Sequence, residues 1–144
     1  NYDIKDARKT FELNVISNMF LVKSLLPIMI KEKWGRIIHT SSIIANRGAV
    51  GAGIYASSKS ALIGYNKTIA AEYGRFGITS NIINMGYFEK GLINTFDKTK
   101  IGKIINETPV KRLGTINDLI LAIDFIQQCN FFTGEELSLK GGNI

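Results

Sequence analysis

The stretch "GRIIHTSSIIANRGAVGAGIYASSKSALIGYNKTIAAEYG" (35–74) decides how the chain is read. A short, β-prone run, "GRIIHT" (35–40), gives way to hydroxyls and glycines. Ile54, Ala61, Leu62, Tyr65, Ile69 and Tyr73 then recur at helical spacing over 54–73, with Gly74 as the expected stop. Strand, glycine-bearing loop and helix is the order that cradles a dinucleotide pyrophosphate. Two spacings argue against that use here. A pyrophosphate loop meets its first glycine almost at the strand end, whereas Ser42 to Arg47 intervene before Gly48. The ribose-binding acid expected about 20 residues on, at a second strand end, would be Glu72, which falls inside the helix. Gly48, Gly51 and Gly53 therefore read as a connection, and the chemistry lies beyond them.

Tyr55 and Lys59 stand four apart on that helix, so their side chains share a face. Tyrosine, with an ordinary pKa near 10, is a poor acid–base group at neutral pH. An ammonium about 4 Å from a phenolate stabilises it by about 4 kcal/mol at an effective dielectric near 20, roughly three pKa units. Spacing alone is weak evidence in a chain with this many lysines, since a half-buried tyrosine and a snorkelling lysine give the same pattern. Ser42 strengthens it. This residue ends the preceding strand, where ligands bind in parallel α/β sheets.

Outward from this centre, "DIKDARKTFELNVISNMFLVKSLLPIMIKEK" (3–33) places Ile4, Ala7, Phe11, Val15, Met19, Val22, Leu26 and Ile30 at steps of three and four, a long amphipathic helix that Pro27 could kink. "ITSNIIN" (78–84) is a second strand ending at Gly86. Residues 90–106 read as weakly helical and mobile. "INDLILAIDFIQQC" (116–129) is a helix capped by Asn117, and "EELSLKGG" (135–142) closes with a short strand. Alternating strands and helices predict an α/β fold with a parallel sheet covered by helices. Its first strand is expected to present an open edge.

Composition narrows the function classes. The chain has 144 residues, 45% apolar and 21% charged, as in a globular domain. Its one cysteine, Cys129, reads as a buried structural thiol and excludes an internal disulfide. The longest contiguous apolar run, "LLPIMI" (25–30), is short of a membrane span, and no signal-like segment opens the sequence. The expectation is a cytoplasmic protein with no membrane partner. A net charge of +6 is spread along the chain, which favours a solvated surface over nucleic-acid binding, and no metal site is expected. Lys33, Arg36 and Arg75 could form a landing patch for an acidic carrier, or be ordinary surface charge.

The blocks "ELNVIS", "GRIIHTSSIIA", "YASSKSALIG", "AAEYGRFGITSNIINMGYFEKGL", "PVKRLGTINDL" and "FFTGEELSLKGG", in this order, resemble the short-chain dehydrogenase/reductase family, most closely its 3-oxoacyl-(acyl-carrier-protein) reductase branch. The resemblance implies the C-terminal half of a doubly wound, Rossmann-type parallel sheet over residues 1–144. It also implies an NAD(P)-dependent oxidoreductase, with NADP favoured, acting on a small or carrier-bound carbonyl such as a 3-oxoacyl thioester. By that resemblance Tyr55 donates the proton, Ser42 holds the carbonyl oxygen, and Lys59 assists Tyr55 and binds the nicotinamide ribose. Asn14 would hold a relay water, while Gly86 and the Phe88 backbone flank the cofactor. A homodimer or homotetramer through helices 3–33 and 54–73 is implied too.

Three positions depart from the family's pattern. Met85-Gly86 replaces Pro-Gly, Lys90 stands where a cofactor-holding threonine is expected, and Lys140 replaces an acid before Gly141-Gly142. The family's phosphate loop and its NAD-versus-NADP selector would precede Asn1. Two readings stay open: a working carbonyl reductase, or a catalytically inactive remnant serving as a folded dimerisation module.

Overall fold

A computed structural model describes residues 3–143. The first helical run is α1 (Ile4–Phe11), a π turn (Glu12–Ile16) and α2 (Ser17–Glu32). Strand β1 (Gly35–Ser42) follows, then a four-residue helix α3 (Ile44–Arg47) and the long α4 (Gly53–Tyr73). Strand β2 (Ile78–Met85), α5 (Lys98–Glu107), α6 (Ile116–Gln128) and β3 (Glu136–Leu139) complete the order. The three strands form one parallel sheet in the order β1-β2-β3, with Ser42 opposite Met85 and Ile82 opposite Glu136.

Helices cover both faces, as parallel strands require. On one face α2 and α4 bury Val22, Leu26 and Ile69 against Ile37 and Ile78. On the other, Ala122 and Ile126 of α6 pack on Ile83. Strand β2 lies between its two neighbours and is buried over nearly its whole length, and β1 is a sheet edge among the described residues.

Several sequence expectations need correction. The periodic helix over 3–33 forms, but the π turn adds a residue to one turn, with Ser17 N–H reaching back to Glu12. Along the stripe Ile4 is 67% exposed, Ala7 and Phe11 are half-buried, and Val15, Val22 and Leu26 are buried. Helix α2 runs through Pro27 to Glu32. The membrane-length reading counted only contiguous apolar residues. The helical run Ile4–Glu32 contains an 18-residue window of mean hydropathy 1.6, long and apolar enough to cross a membrane, and 17% of that window is buried. Leu13, Phe20, Leu21 and Ile28 face outward from it.

Helix α4 ends at Tyr73 with Gly74 as its C-cap, as expected, but Gly74 keeps right-handed helical geometry; a short 3₁₀ turn follows, and Gly77 at φ +75° takes the left-handed turn. A Cβ there would lie 2.3 Å from the Lys33 carbonyl oxygen. Helix α6 is capped by Thr115 rather than Asn117: Thr115 and Asp118 exchange side-chain and backbone bonds in a capping box. Cys129 is half-buried at the C-cap of α6, not inside its packed face. The 90–106 segment is ordered by Asp97, which caps α5 by accepting from Lys100 N–H at 2.8 Å, and by burial of Ile93 and Ile104.

A polar group is enclosed where α2, α4, β1 and β2 meet. His39, 1% exposed, has Nδ1 at 2.9 Å from Asn18 Oδ1 and Nε2 at 3.3 Å from Ser80 Oγ. Ser80 donates to Asn66 Oδ1 at 2.8 Å, and the Tyr65 ring centre lies 5.6 Å from the imidazole.

Candidate functional site

The C-terminal tips of β1 and β2 open into a cleft of about 270 Å³. Ser42, Tyr55, Lys59, Gly86 and Phe88 all line it. The parallel register makes this inevitable for the strand residues: Ser42 pairs with Met85, and the Ile43 N–H donates to the Met85 carbonyl at 3.1 Å, so β1 and β2 end together. Helix α4 then crosses the sheet with its first turns at the same end, presenting Tyr55 and Lys59 one turn apart.

Lys59 is held from both ends. Its Nζ donates to the Thr40 carbonyl at 2.9 Å, and its own carbonyl accepts from Ser41 Oγ at 3.2 Å. The ammonium lies 5.9 Å from the centre of the Tyr55 ring. Partial burial strips water from it and lowers its pKa from the ordinary lysine value. Ser42 Oγ accepts the Ile44 N–H at 3.3 Å. That bond uses an oxygen lone pair and keeps the hydroxyl proton available to donate.

Asn14 stands one layer back. Its Nδ2 donates to Ser58 Oγ at 3.0 Å, and Ser58 donates to the Tyr55 carbonyl at 2.8 Å. Asn14 thus ties the π turn to the helical turn bearing Tyr55, and it does not line the cleft. Sequence reasoning missed Thr40, Ser41 and Ser58 as the groups that fix the lysine and the tyrosine. The hydroxyl-rich "HTSS" and "YASSKS" were their only local signal.

Gly86 is a close-approach glycine: its N–H donates to the Leu139 carbonyl at 2.9 Å, and a Cβ would come within 3.0 Å of Lys140 Cα. Phe88 forms a parallel bridge with Gly114 through the Tyr87 carbonyl and the Glu89 N–H. In such a bridge Phe88's own peptide groups turn to the opposite side. Met85 and Lys90, two of the departures from the family's pattern, also line the cleft.

Of the glycine-bearing connection after β1 and the 90–106 segment, only Ile43, Ile44 and residues 90–93 line the cleft. Gly48, Gly51 and Gly53 do not. The basic trio is at the other end of the sheet. Arg36 is separated from Ser42 by six strand steps, roughly 20 Å, and its guanidinium is occupied by the Gln127, Gly35 and Gly77 carbonyls and by Asn130. A landing patch beside the cleft is therefore not what Lys33, Arg36 and Arg75 make.

A family described as "Enoyl-(Acyl carrier protein) reductase" matches residues 1–143, and the chain belongs to the short-chain dehydrogenase/reductase family. Within it, the chain is 33% identical over 144 residues to the 3-oxoacyl-[acyl-carrier-protein] reductase FabG of Buchnera aphidicola subsp. Baizongia pistaciae, covering 99% of this chain and 59% of that protein. It is 32% identical over 133 residues to FabG of Escherichia coli K12, covering 91% of this chain and 54% of that one. Among solved structures, a 3-oxoacyl-[acyl-carrier protein] reductase from Brucella melitensis superposes with TM-score 0.92 at 25% identity, covering 99% of this chain and 54% of that one. A protein described as "Dehalogenation enzyme" gives TM-score 0.90 at 29% identity, covering 97% of this chain and 60% of that one. The chain spans between half and three-fifths of these relatives' length, and its sheet corresponds to the C-terminal part of their Rossmann-type fold.

Proposed function

We propose that this chain carries the proton-transfer side of an NAD(P)-dependent carbonyl reductase, with a 3-oxoacyl thioester as the substrate class. The observation that carries the reading is the convergence of Ser42, Tyr55 and Lys59 on one cleft at the carboxyl ends of parallel strands. Two hydroxyl donors lining one cleft suit a carbonyl, where reduction leaves an alkoxide that must be protonated. That favours C=O reduction over the C=C reduction implied by the name of the matched family. The relatives' names point the same way.

A cleft of about 270 Å³ with a lysine ammonium, a phenol and the free-facing Phe88 peptide fits the nicotinamide-ribose end of a dinucleotide. When bound, the nicotinamide supplies the hydride. Ser42 donates its hydroxyl proton as a hydrogen bond to the substrate oxygen and fixes its place. Tyr55 gives its phenolic proton to that oxygen. Lys59, steadied by Thr40, places a partly desolvated positive charge beside the ring, and its remaining N–H donors would hold the ribose hydroxyls. The Phe88 peptide would hold the carboxamide, with Gly86 flanking it. The Asn14 amide nitrogen gives one of its two N–H groups to Ser58, which leaves its second N–H and the side-chain oxygen to hold a relay water.

The test is dinucleotide oxidation by the purified protein with an acetoacetyl thioester, beside Tyr55→Phe. Loss of the acid should lower kcat by at least about 10²-fold with an unchanged melting temperature. Equal turnover in the variant contradicts the assignment. Dinucleotide binding without any turnover in the parent protein supports the non-catalytic alternative.

A further inference from the structure

We infer that Glu136 is a positioning residue for the turn that bears Ser42. The inference rests on the proposed role of Ser42 as holder of the substrate oxygen. Glu136 opens β3 at the far side of β2 from Ser42, and 94 positions separate the two in sequence. One oxygen of its carboxylate, Oε2, accepts from two side-chain amides: Asn84 Nδ2 at 2.7 Å and Asn46 Nδ2 at 3.0 Å.

Each amide belongs to an element that meets the cleft. Asn84 is fully buried on β2, directly before Met85, whose carbonyl receives the Ile43 N–H. Asn46 is on α3, which starts two residues after Ser42. Helix α3 has only four residues, too few to hold its shape without tertiary bonds. Glu136 supplies one such bond, and on the other flank Ser60 Oγ donates to the Ala45 carbonyl at 2.7 Å.

The clamp reaches Ser42 through a single link. Ser42 Oγ takes its hydrogen bond from Ile44 N–H, the first residue of α3, so any displacement of α3 re-aims the hydroxyl. An ionised acceptor makes each amide bond stronger than a neutral pair would. A glutamate that touches no part of the cleft thereby joins β3, β2 and α3 into one unit and sets the direction of the Ser42 proton.

Three variants test this by amide hydrogen exchange and by turnover. In Glu136→Leu and in Asn46→Ala, the Arg47 and Gly48 amides, which close α3 by bonding to the Ile43 and Ile44 carbonyls, should exchange about tenfold faster, the equivalent of one lost hydrogen bond. The β2 amides should keep their protection. The kcat for carbonyl reduction should fall between about ten- and a hundredfold while KM for the dinucleotide changes less than about twofold. Glu136→Gln should rescue both readouts, because an amide oxygen has two lone pairs and can accept both bonds.

Unchanged exchange at Arg47 and Gly48 in both disruptive variants overturns the clamp, and a loosened α3 with unchanged kcat overturns the positioning of Ser42. Asn46 is exposed, so Asn46→Ala decides the matter if Glu136→Leu does not fold. If the parent protein turns nothing over, the proposed reduction fails, and the exchange data still decide whether Glu136 holds α3.

Discussion

Lowering the pH toward 4 should destabilise this protein through one buried imidazole. His39 is the chain's one histidine. Burial among Asn18, Ser80, Asn66 and Tyr65 disfavours its charged form and lowers its pKa from 6.5 to about 4. Between those values the unfolded chain binds a proton that the folded protein does not. Stability from the neutral ring is thus fully present above about pH 6.5 and is lost as pH falls toward 4. Linkage over that interval gives a loss of about 2 kcal/mol by pH 5 and about 3 kcal/mol by pH 4. Urea unfolding of the parent and of His39→Gln at pH 7 and pH 5 reads the difference, since most carboxylates remain ionised there. The parent should lose about 2 kcal/mol more than the variant across that step. Equal losses, or an imidazole that titrates near 6.5 in the folded protein by NMR, would refute the argument.

Other perturbations probe the frame of the site. Gly77→Ala combines a positive φ with a Cβ 2.3 Å from the Lys33 carbonyl oxygen, so it should cost about 2–4 kcal/mol in denaturant unfolding. Thr115→Ala removes half of the α6 capping box and should cost about 1 kcal/mol by the same measurement, with dinucleotide affinity unchanged. Thr115→Ser, which keeps the hydroxyl, should restore most of that stability.

The features legible in the sequence are those carried by local pattern. The run of β-prone residues at 35–40 and the isoleucine-bearing "ITSNIIN", bounded by Gly77 and Gly86, gave both long strands. The three-and-four spacing in 54–73 gave α4, and the strand-end place of Ser42 put it beside Tyr55 and Lys59. Features made by contact across the fold had no such signature. Nothing in "ELNVI" separates a π turn from an ordinary helical turn, yet that turn directs Asn14 toward Ser58. The Thr115 cap has a local signature, Thr-x-x-Asp, with which Asn117 competes as a capping residue in the sequence. Glu136 meets Asn46 across 90 residues, and no spacing rule links them. Arg36 reads as surface charge in the sequence, whereas its guanidinium is held by the carbonyls of Gln127 and Gly77, far from it in the chain.

The proposed reduction requires the cleft between Tyr55, Lys59 and Phe88 to receive the nicotinamide end of the cofactor. Titrating the isotope-labelled protein with reduced nicotinamide mononucleotide tests this without requiring turnover. Amide shifts should move together at Ser42, Tyr55, Lys59, Gly86 and Phe88, and Lys59→Met should weaken the effect. Shifts confined to the opposite end of the sheet, around Arg36 and Asn130, would contradict it.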